Sequence, residues 1–304
     1  MLNNFNEQLT TILNSHDPSQ ISQISLEKLF HNTSDDFWIW LFTEGYDNNP
    51  AVKKILPSMP DEQTQINFTG RSGHSALRDA FSIYQLIKKL SQEYSKNISD
   101  SRAILDFGCG WGRIIRFFLR DLNEKKIYGV DCYDQMIQLC KTQNLRSNFQ
   151  TINPMPPTKF LENMFDHIYL YSVFSHLSEE AHLEWLKEFN RILSPGGIVI
   201  ASTRPRSFIE YCVNVSKKTN IEMCERGLAI SFRNSQKDLK DYDQGKFVHC
   251  PTGGGDVLDK SFFGETCISK LYVEKEWIKY FSEVHYFTVP EHGTSDQDIS
   301  GAIK

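Results

Sequence analysis

Hydrophobic and polar residues follow two patterns along this chain, one with helical spacing and one of short apolar runs. Between Ser75 and Leu90, apolar residues recur every three or four positions, which predicts one face of an amphipathic helix. Further along, short apolar runs alternate with helical patterns, and this rhythm is typical of parallel strands joined by helices. The predicted strands are residues 103–107, 127–130, 149–152, 166–171 and 198–203, and the predicted helices between them are 113–122, 135–142 and 178–193. The pattern therefore predicts a doubly wound α/β core.

The segments on either side of this core have different patterns. Residues 1–70 read as a helical N-terminal extension, a candidate substrate lid, with a proline-punctuated stretch at 56–60. We assign residues 71–304 to one domain, in which residues 204–272 interrupt the rhythm and form an insertion after the fifth strand. Long irregular segments of this kind are usually functional, so the insertion is a second candidate lid. A helix at 273–281 and strands at 284–289 and 299–303 complete a mostly parallel seven-stranded sheet.

Composition and charge exclude several classes of protein. The formal net charge is −5 and no basic stripe is present, so nucleic acid is not an expected partner. No apolar run is long enough for a membrane span, and the N-terminus lacks the pattern of a secretory signal. The seven cysteines are scattered without metal-ligand spacing and indicate reduced thiols in a cytoplasmic protein.

A glycine-rich turn follows the first predicted strand. The strand ends at Asp106, and Gly108, Gly110 and Gly112 come at every second position before a helix. Such glycines let a ligand lie against bare backbone at a helix N-terminus. The spacing departs from the GxGxxG dinucleotide fingerprint, and the Asp106 carboxylate would repel a pyrophosphate. The turn therefore favours a ligand that carries an ammonium group.

A second acidic residue, Asp131, ends the second predicted strand. A carboxylate at this point can accept hydrogen bonds from both hydroxyls of a ribose. The alternative is that Asp131 caps the helix that follows.

Four segments, in order, resemble class I S-adenosylmethionine-dependent methyltransferases: DFGCGWGR, GVD, FDHIYLYSVFSHL and RILSPGGIVIAST. The resemblance covers about residues 100–204 and implies a Rossmann-like methyltransferase fold with S-adenosylmethionine as cofactor. It departs from the family at Asn153, where an acidic residue is usual. Carried over to this chain, it implies that the cofactor is held by Asp106, Gly108, Cys109, Gly110, Gly112, Arg113, Asp131, Cys132, Tyr133, Asn153 and Ser172.

On the acceptor side, His176 is the candidate general base, because it follows the fourth strand toward the edge where such folds bind ligands. The alternative is a purely structural role in the turn into the next helix. Arg71, His74 and His249 are candidate substrate-binding residues. We also predict no catalytic metal, since the fourth-strand tip, residues 171–173, lacks the carboxylates that a hard cation prefers.

These features favour methyl transfer to an oxygen or nitrogen of a small-molecule acceptor, of sugar or secondary-metabolite type, within a pocket closed by the two candidate lids. A protein or peptide methyltransferase, which needs an open groove, is the nearest alternative. A nicotinamide-dependent oxidoreductase and a non-catalytic partner with the same fold are the remaining alternatives.

Overall fold

A computed structural model describes residues 2–17, 20–221, 225–254, 258–294 and 296–304. No helix in these ranges is long and apolar enough to cross a membrane. The helices are α1 (Leu2–Asn14), α2 (Leu26–Phe30), α3 (Asp35–Phe42), α4 (Glu44–Asn48), α5 (Pro50–Ile55), α6 (Glu62–Thr69), α7 (Gly73–Tyr94), α8 (Asp134–Thr142), α9 (Glu179–Ile192), α10 (Arg206–Ser216), α11 (Arg226–Ile230), α12 (Ser235–Asp243), α13 (Lys270–Glu276) and α14 (Val289–His292). The strands are β1 (Ile104–Phe107), β2 (Ile127–Asp131), β3 (Asn148–Thr151), β4 (Phe165–Leu170), β5 (Leu193–Thr203), β6 (Val248–Cys250), β7 (Glu265–Cys267), β8 (Glu283–Phe287) and β9 (Asp298–Ile303).

Seven strands form one sheet in the order β3-β2-β1-β4-β5-β9-β8. The first five run parallel, whereas β9 is antiparallel to β5 and β8 is antiparallel to β9. The order reverses between β1 and β4, and ligands of doubly wound sheets bind beside such a switch point at the carboxyl ends of the strands. The predicted fold class, a mostly parallel seven-stranded sheet, is confirmed.

Side chains alternate between the two faces of the sheet, as strand geometry requires. On β1, Ile104 packs into the core on the side of α7 and the N-terminal helices, whereas Leu105 packs toward α9 and α13. On β5, Ile200 and Ala201 divide in the same way. Both faces are therefore covered, which explains why the central strands are apolar at almost every position.

The N-terminal helices share a core with the sheet. Trp38 of α3 is fully buried, and its indole N–H donates a 3.0 Å hydrogen bond to the carbonyl of Phe117. The buried guanidinium of Arg120 donates to the Tyr84 hydroxyl at 2.8 Å and also pairs with Asp35. Buried residues of α1, α2, α3 and α5 belong to the same core as residues of β1, β2 and β5, so these helices pack against the sheet rather than being attached by a linker.

The segment 204–272 has secondary structure of its own. It contains α10, α11, α12 and an antiparallel ribbon of β6 and β7. A small separate core, which includes Ile209, Cys212, Phe232 and Tyr242, holds these elements together. Cys224 and Gly255 lie outside the described residues.

Two predicted elements differ from the structure. Residues 113–122 contain a 3-10 helix at Ile115–Arg120 instead of an α-helix. There the Arg116 side chain donates to the carbonyl of Gly112 at 3.0 Å, the group that its own backbone N–H would use in an α-helix. Residues 194–197, which lie between the predicted helix 178–193 and the predicted strand 198–203, are part of β5. There Gly196 adopts φ 72°, and its N–H donates to the carbonyl of Lys304.

Candidate active site

A cavity of about 360 Å³ opens at the carboxyl ends of β1, β2 and β4. Three parts of the chain enclose it: the end of α6, the sheet edge, and the insertion. The lining residues are Asn67, Phe68, Thr69, Asp106, Phe107, Gly108, Cys109, Gly110, Trp111, Arg113, Ile114, Asp131, Cys132, Tyr133, Ile152, Asn153, Pro154, Tyr171, Ser172, Val173, His176, Leu177, Trp185, Leu258, Phe262 and Phe263.

The three glycines of the turn have different surroundings. All three adopt positive φ, the region that favours glycine. A Cβ on Gly110 would meet no atom within 4 Å, so this residue faces open space, and it lines the cavity. A Cβ on Gly112 would lie 2.5 Å from the Leu145 side chain. Gly112 therefore packs closely beneath the turn and is not among the described lining residues, and its predicted role in holding the cofactor stays a prediction.

Asp131 is buried at the end of β2, beside the turn. Its Oδ2 accepts a 2.9 Å hydrogen bond from the backbone N–H of Gly110, and its Oδ1 accepts one of 2.9 Å from that of Tyr133. Burial raises the pKa of Asp131, and the N–H groups of Tyr133 and Gly110 oppose this. Since a carboxylate oxygen can accept more than one hydrogen bond, both oxygens keep capacity for a ligand.

Asp106 is also buried, and its Oδ2 accepts no hydrogen bond from any described residue. Burial raises its pKa to about 8, and the charge of Asp131 adds to this, whereas the Tyr169 hydroxyl and Arg113 oppose it. A buried polar atom without a partner is costly, so Asp106 Oδ2 is a strong candidate for a ligand contact.

Arg113 is a positively charged residue of the cavity lining. Its guanidinium carbon lies 5.8 Å from the centre of the Tyr171 ring, and burial lowers its pKa. At the next position, Ser172 adopts φ 62°, which is unusual for a residue with a side chain. Its N–H donates to Ser202 Oγ at 2.6 Å and its hydroxyl accepts from Gln297 Nε2 at 3.2 Å. This bonding holds the strained turn after β4 against the cavity.

Four further predicted cofactor residues also line the cavity: Cys109, Cys132, Tyr133 and Asn153. The Tyr133 hydroxyl donates a 2.7 Å hydrogen bond to the carbonyl of Gly254, which ties the end of β2 to the insertion.

His176 lines the cavity where the sheet edge meets the insertion. Its Nδ1 lies 2.9 Å from the carbonyl oxygen of Gly264, and its ring stacks on that of Phe263 at 4.9 Å. Burial lowers the pKa of His176 to about 3, and the charge of Arg204 lowers it further. His176 is therefore neutral at physiological pH.

The structure does not bring the predicted substrate-binding residues together. Arg71 is exposed and pairs with Asp79, and His74 lies 2.8 Å from Asp47 on the same surface. His249 lies on β6, with its Nδ1 2.8 Å from Thr266 Oγ1. None of the three is among the described lining residues, so the predicted direct contact of Arg71, His74 and His249 with substrate is not supported.

Several lining residues were not predicted from the sequence. The sequence pattern around Trp185, in the middle of α9, indicates only that it lies on a buried helix face. In the structure Trp185 lines the cavity, and its indole N–H donates a 3.1 Å hydrogen bond to the carbonyl of Pro154. Leu258, in the insertion, was not predicted either.

Part of the chain resembles a known family of domains. Residues 104–197 match the model of a family described as a methyltransferase domain. No curated protein matches the chain.

Several solved structures are similar. A protein from Pyrococcus horikoshii OT3 is 17% identical over 86% of this chain and 99% of its own, with a TM-score of 0.47. An S-adenosylmethionine-dependent methyltransferase from Thermotoga maritima is 14% identical over 75% of this chain and 89% of its own, with a TM-score of 0.42. PKMT2 from Rickettsia typhi, solved with AdoHcy, is 20% identical over 54% of this chain and 32% of its own, with a TM-score of 0.34. With TM-scores below 0.5, these likenesses carry no argument about the site.

The family match covers the segment that carries the glycine turn, Asp131, the first four parallel strands and the start of β5. This segment is a methyltransferase domain of class I, consistent with the resemblance seen in the sequence. The protein therefore contains a methyltransferase domain, for which the resemblance in the sequence implies S-adenosylmethionine as cofactor.

Proposed function

We propose that this protein transfers the methyl group of S-adenosylmethionine to an oxygen or nitrogen of a small-molecule acceptor, of sugar or secondary-metabolite type. The observation that carries the proposal is the enclosure of the cavity. Phe68 of α6 lines it next to Tyr133, and Phe262 and Phe263 of the insertion also line it. Aromatic residues from two separate segments thus line a cavity of about 360 Å³. Such a cavity suits a small acceptor better than a polypeptide chain, which needs an open groove.

The residues at the sheet edge fit S-adenosylmethionine in shape and charge. Gly110 leaves open the space that a side chain would fill. Asp106 offers an unpartnered carboxylate oxygen to the cofactor's ammonium group, and Arg113 offers a cation to its carboxylate. Asp131 would accept the ribose hydroxyls, and Tyr133 and Asn153 would flank the adenosine.

The bound cofactor supplies an electrophilic methyl group on a sulfonium, so the leaving sulfur needs no proton. The protein then contributes mainly position and exclusion of water. A hydroxyl or ammonium acceptor also has a proton to lose, and His176 is the residue we assign to receive it, because it is neutral and lines the cavity.

The proposal includes the predicted organisation of the chain. In it, residues 1–70 and the insertion at 204–272 cover a domain formed by residues 71–304. The end of α6 and residues 258–263 line the cavity in support of this role. A cytoplasmic location is also part of the proposal, supported by the free cysteines of the described residues. Nucleic acid is not proposed as an acceptor, given the net charge of −5.

The test is transfer of a labelled methyl group from S-adenosylmethionine to cell extracts divided by dialysis. We expect label in the dialysable fraction, and none when Gly110→Val replaces the wild type. Label confined to polypeptides would overturn the small-molecule assignment and favour the protein-methyltransferase alternative.

A further inference from the structure

Beyond the sheet edge, the cavity is lined by apolar side chains from two segments, the turn after β4 and the end of the insertion. Val173 and Leu177 come from the first segment, and Leu258, Phe262 and Phe263 come from the second. We call these five residues the apolar wall. Val173, Phe262 and Phe263 pack against the core on the side of α9 and α13 and are only half-buried. Their open surface inside the cavity would be stabilised by a ligand that covers it.

Backbone contacts hold the apolar wall in place. The Gly264 N–H donates a 2.7 Å hydrogen bond to the carbonyl of His176, and Leu177 and Phe263 form a backbone bridge beside it. The ring of Phe263 stacks on that of His176 with an angle of 9° between their planes. The two segments thus pair like short strands, so the shape of the wall is set by the backbone before a ligand binds.

Several polar side chains of the lining already have partners within the protein. The Thr69 hydroxyl lies 2.9 Å from the carbonyl of Gln65 and 2.8 Å from that of Arg71. The Ser172 hydroxyl accepts a 3.2 Å hydrogen bond from Gln297 Nε2. A sugar carries several hydroxyls, and each of them needs a new partner when it loses water. A sugar would therefore lose more hydrogen bonds to water than these side chains can return.

Formal charge in the lining is confined to the sheet edge. Among the described lining residues it belongs to Asp106, Arg113 and Asp131, and the proposed cofactor site uses all three. Arg204, which follows β5, and Glu265, which begins β7, are not among the described lining residues and pair with each other at 3.3 Å. A carboxylate or phosphate on the acceptor would therefore lose its water without gaining an opposite charge from the apolar wall.

From these observations we propose that the methyl acceptor is an uncharged molecule with a planar aromatic ring, which lies against the apolar wall and carries the hydroxyl or amine that takes the methyl group. The inference rests on the proposed function and narrows it to neutral aromatic acceptors, leaving out sugars, acids and phosphates. Contact of the acceptor ring with Phe262 and Phe263 adds an aromatic interaction to the burial of apolar area.

The transfer balances for such an acceptor. A lone pair on its oxygen or nitrogen forms the bond to the methyl carbon, and the bond from that carbon to sulfur breaks with its electrons going to sulfur. The proton of the acceptor ends in solvent. A phenol has a pKa of about 10, so it gives up this proton far more readily than the hydroxyl of a sugar. This difference matters because burial lowers the pKa of His176 to about 3, which makes it a weak base.

The first test measures binding and needs no methyl transfer. Full-length protein saturated with S-adenosylhomocysteine is titrated in a calorimeter with para-hydroxybenzamide, para-hydroxybenzoate and methyl glucoside. The first two share a ring and differ in charge, and the third is a neutral sugar. We expect the benzamide to bind at least about tenfold more tightly than either of the others. The inference is overturned if the benzoate or the glucoside binds as tightly as the benzamide, or if none of the three binds.

A charge placed in the apolar wall should shift this preference. In Phe262→Lys, the ratio of benzamide affinity to benzoate affinity should fall by at least about tenfold, while the affinity for S-adenosylhomocysteine should change by less than about twofold. The matched control is Leu161→Lys, which places the same charge on an exposed apolar residue outside the described lining and should keep the wild-type ratio. An unchanged ratio in Phe262→Lys contradicts the inference.

Phe262→Leu carries this test if Phe262→Lys does not bind S-adenosylhomocysteine and is therefore not folded. Leucine keeps the wall apolar and removes the ring, so benzamide binding should weaken by about threefold while S-adenosylhomocysteine binding is kept. Equal benzamide affinity in Phe262→Leu and the wild type would show that no ring lies against this residue.

The second test examines the labelled product of the extract experiment. We expect it to pass anion- and cation-exchange columns at neutral pH, to be retained on a reversed-phase column, and to absorb ultraviolet light as an aromatic ring does. A labelled sugar, acid or phosphate would overturn the inference and leave the proposed function standing. If the benzamide binds selectively but only polypeptides are labelled, the proposed function fails and the preference of the cavity for a neutral ring stands.

Discussion

The two sides of the cavity are built in different ways. On the cofactor side, short turns after β1, β2 and β4 bring backbone N–H groups and carboxylates to one edge of a parallel sheet. The rest of the lining includes aromatic side chains from α6 and from an insertion about 190 residues further along the chain, and we propose that the acceptor lies there. The family match lies at the sheet edge, so we expect the specificity of this protein to come from other parts of the sequence. The following substitutions should therefore divide into those that affect the cofactor and those that affect the acceptor.

The largest expected effect comes from Gly110→Val. A valine side chain would occupy the open space beside the turn, and its backbone would be strained at φ 51°. We expect S-adenosylhomocysteine binding in calorimetry to be lost, a fall of at least about 100-fold.

The matched control is Gly293→Val, because Gly293 also has positive φ and open space but lies away from the cavity. It should carry the same backbone strain and keep full cofactor affinity. Retained binding in Gly110→Val would show that the cofactor lies elsewhere.

Asp131→Ala should weaken S-adenosylhomocysteine binding by about 1–3 kcal/mol, the range for lost hydrogen bonds to a charged group. The loss has two sources, the ribose contact and the support of the Gly110 N–H. Titration calorimetry measures it, with Asp134→Ala, at the start of α8, as the control. Equal affinities for Asp131→Ala and wild type would indicate that Asp131 only caps the following turn.

Cofactor affinity should depend on pH through Asp106. Burial raises its pKa to about 8 in the ligand-free protein, and an ammonium group beside it would favour the carboxylate. Binding at neutral pH should then release a proton, so affinity rises with pH up to about pH 8, by at most tenfold per pH unit. Calorimetry in two buffers of different ionisation enthalpy measures the proton release, and Asp106→Asn should abolish it. A wild type that binds without proton release would be inconsistent with this role of Asp106.

The smallest effect on cofactor affinity is expected from Phe263→Ala. This substitution should raise KM for the acceptor by about tenfold, and it should change the affinity for S-adenosylhomocysteine by less than about twofold. The reason is that Phe263 covers the acceptor side and stacks on His176. Leu161→Ala, which removes an exposed apolar side chain, serves as the control for stability. A larger effect on cofactor affinity than on acceptor KM would erase the distinction between the two sides.

The local sequence predicted the cofactor side well because its features are short-range. The alternation of apolar runs and helical patterns predicted the five parallel strands, and the glycines at every second position predicted the turn after β1. The prediction of an α-helix at residues 113–122 was wrong, because the Arg116 side chain donates to the carbonyl of Gly112 in place of a backbone N–H. The segment forms a 3-10 helix instead. The cofactor roles of Asp106 and Asp131 remain predictions.

The acceptor side could not be predicted to the same degree. Arg71, His74 and His249 were chosen by residue type, and the structure places them in a surface pair, a surface cluster and a ribbon beside the cavity. No local pattern indicates that Arg204 and Glu265 pair at 3.3 Å, since they are 61 positions apart and meet only when the insertion folds back on the end of β5.

The sequence by itself determined the class of fold and the position of the glycine turn, because strand periodicity and turn geometry depend on residues near one another in the chain. Parallel strands then bring their carboxyl ends to a common edge without further information. Only the tertiary structure decided which aromatic residues cover the cavity and which charges face His176. Those contacts join segments far apart in the chain, and they depend on how the insertion packs rather than on any local pattern.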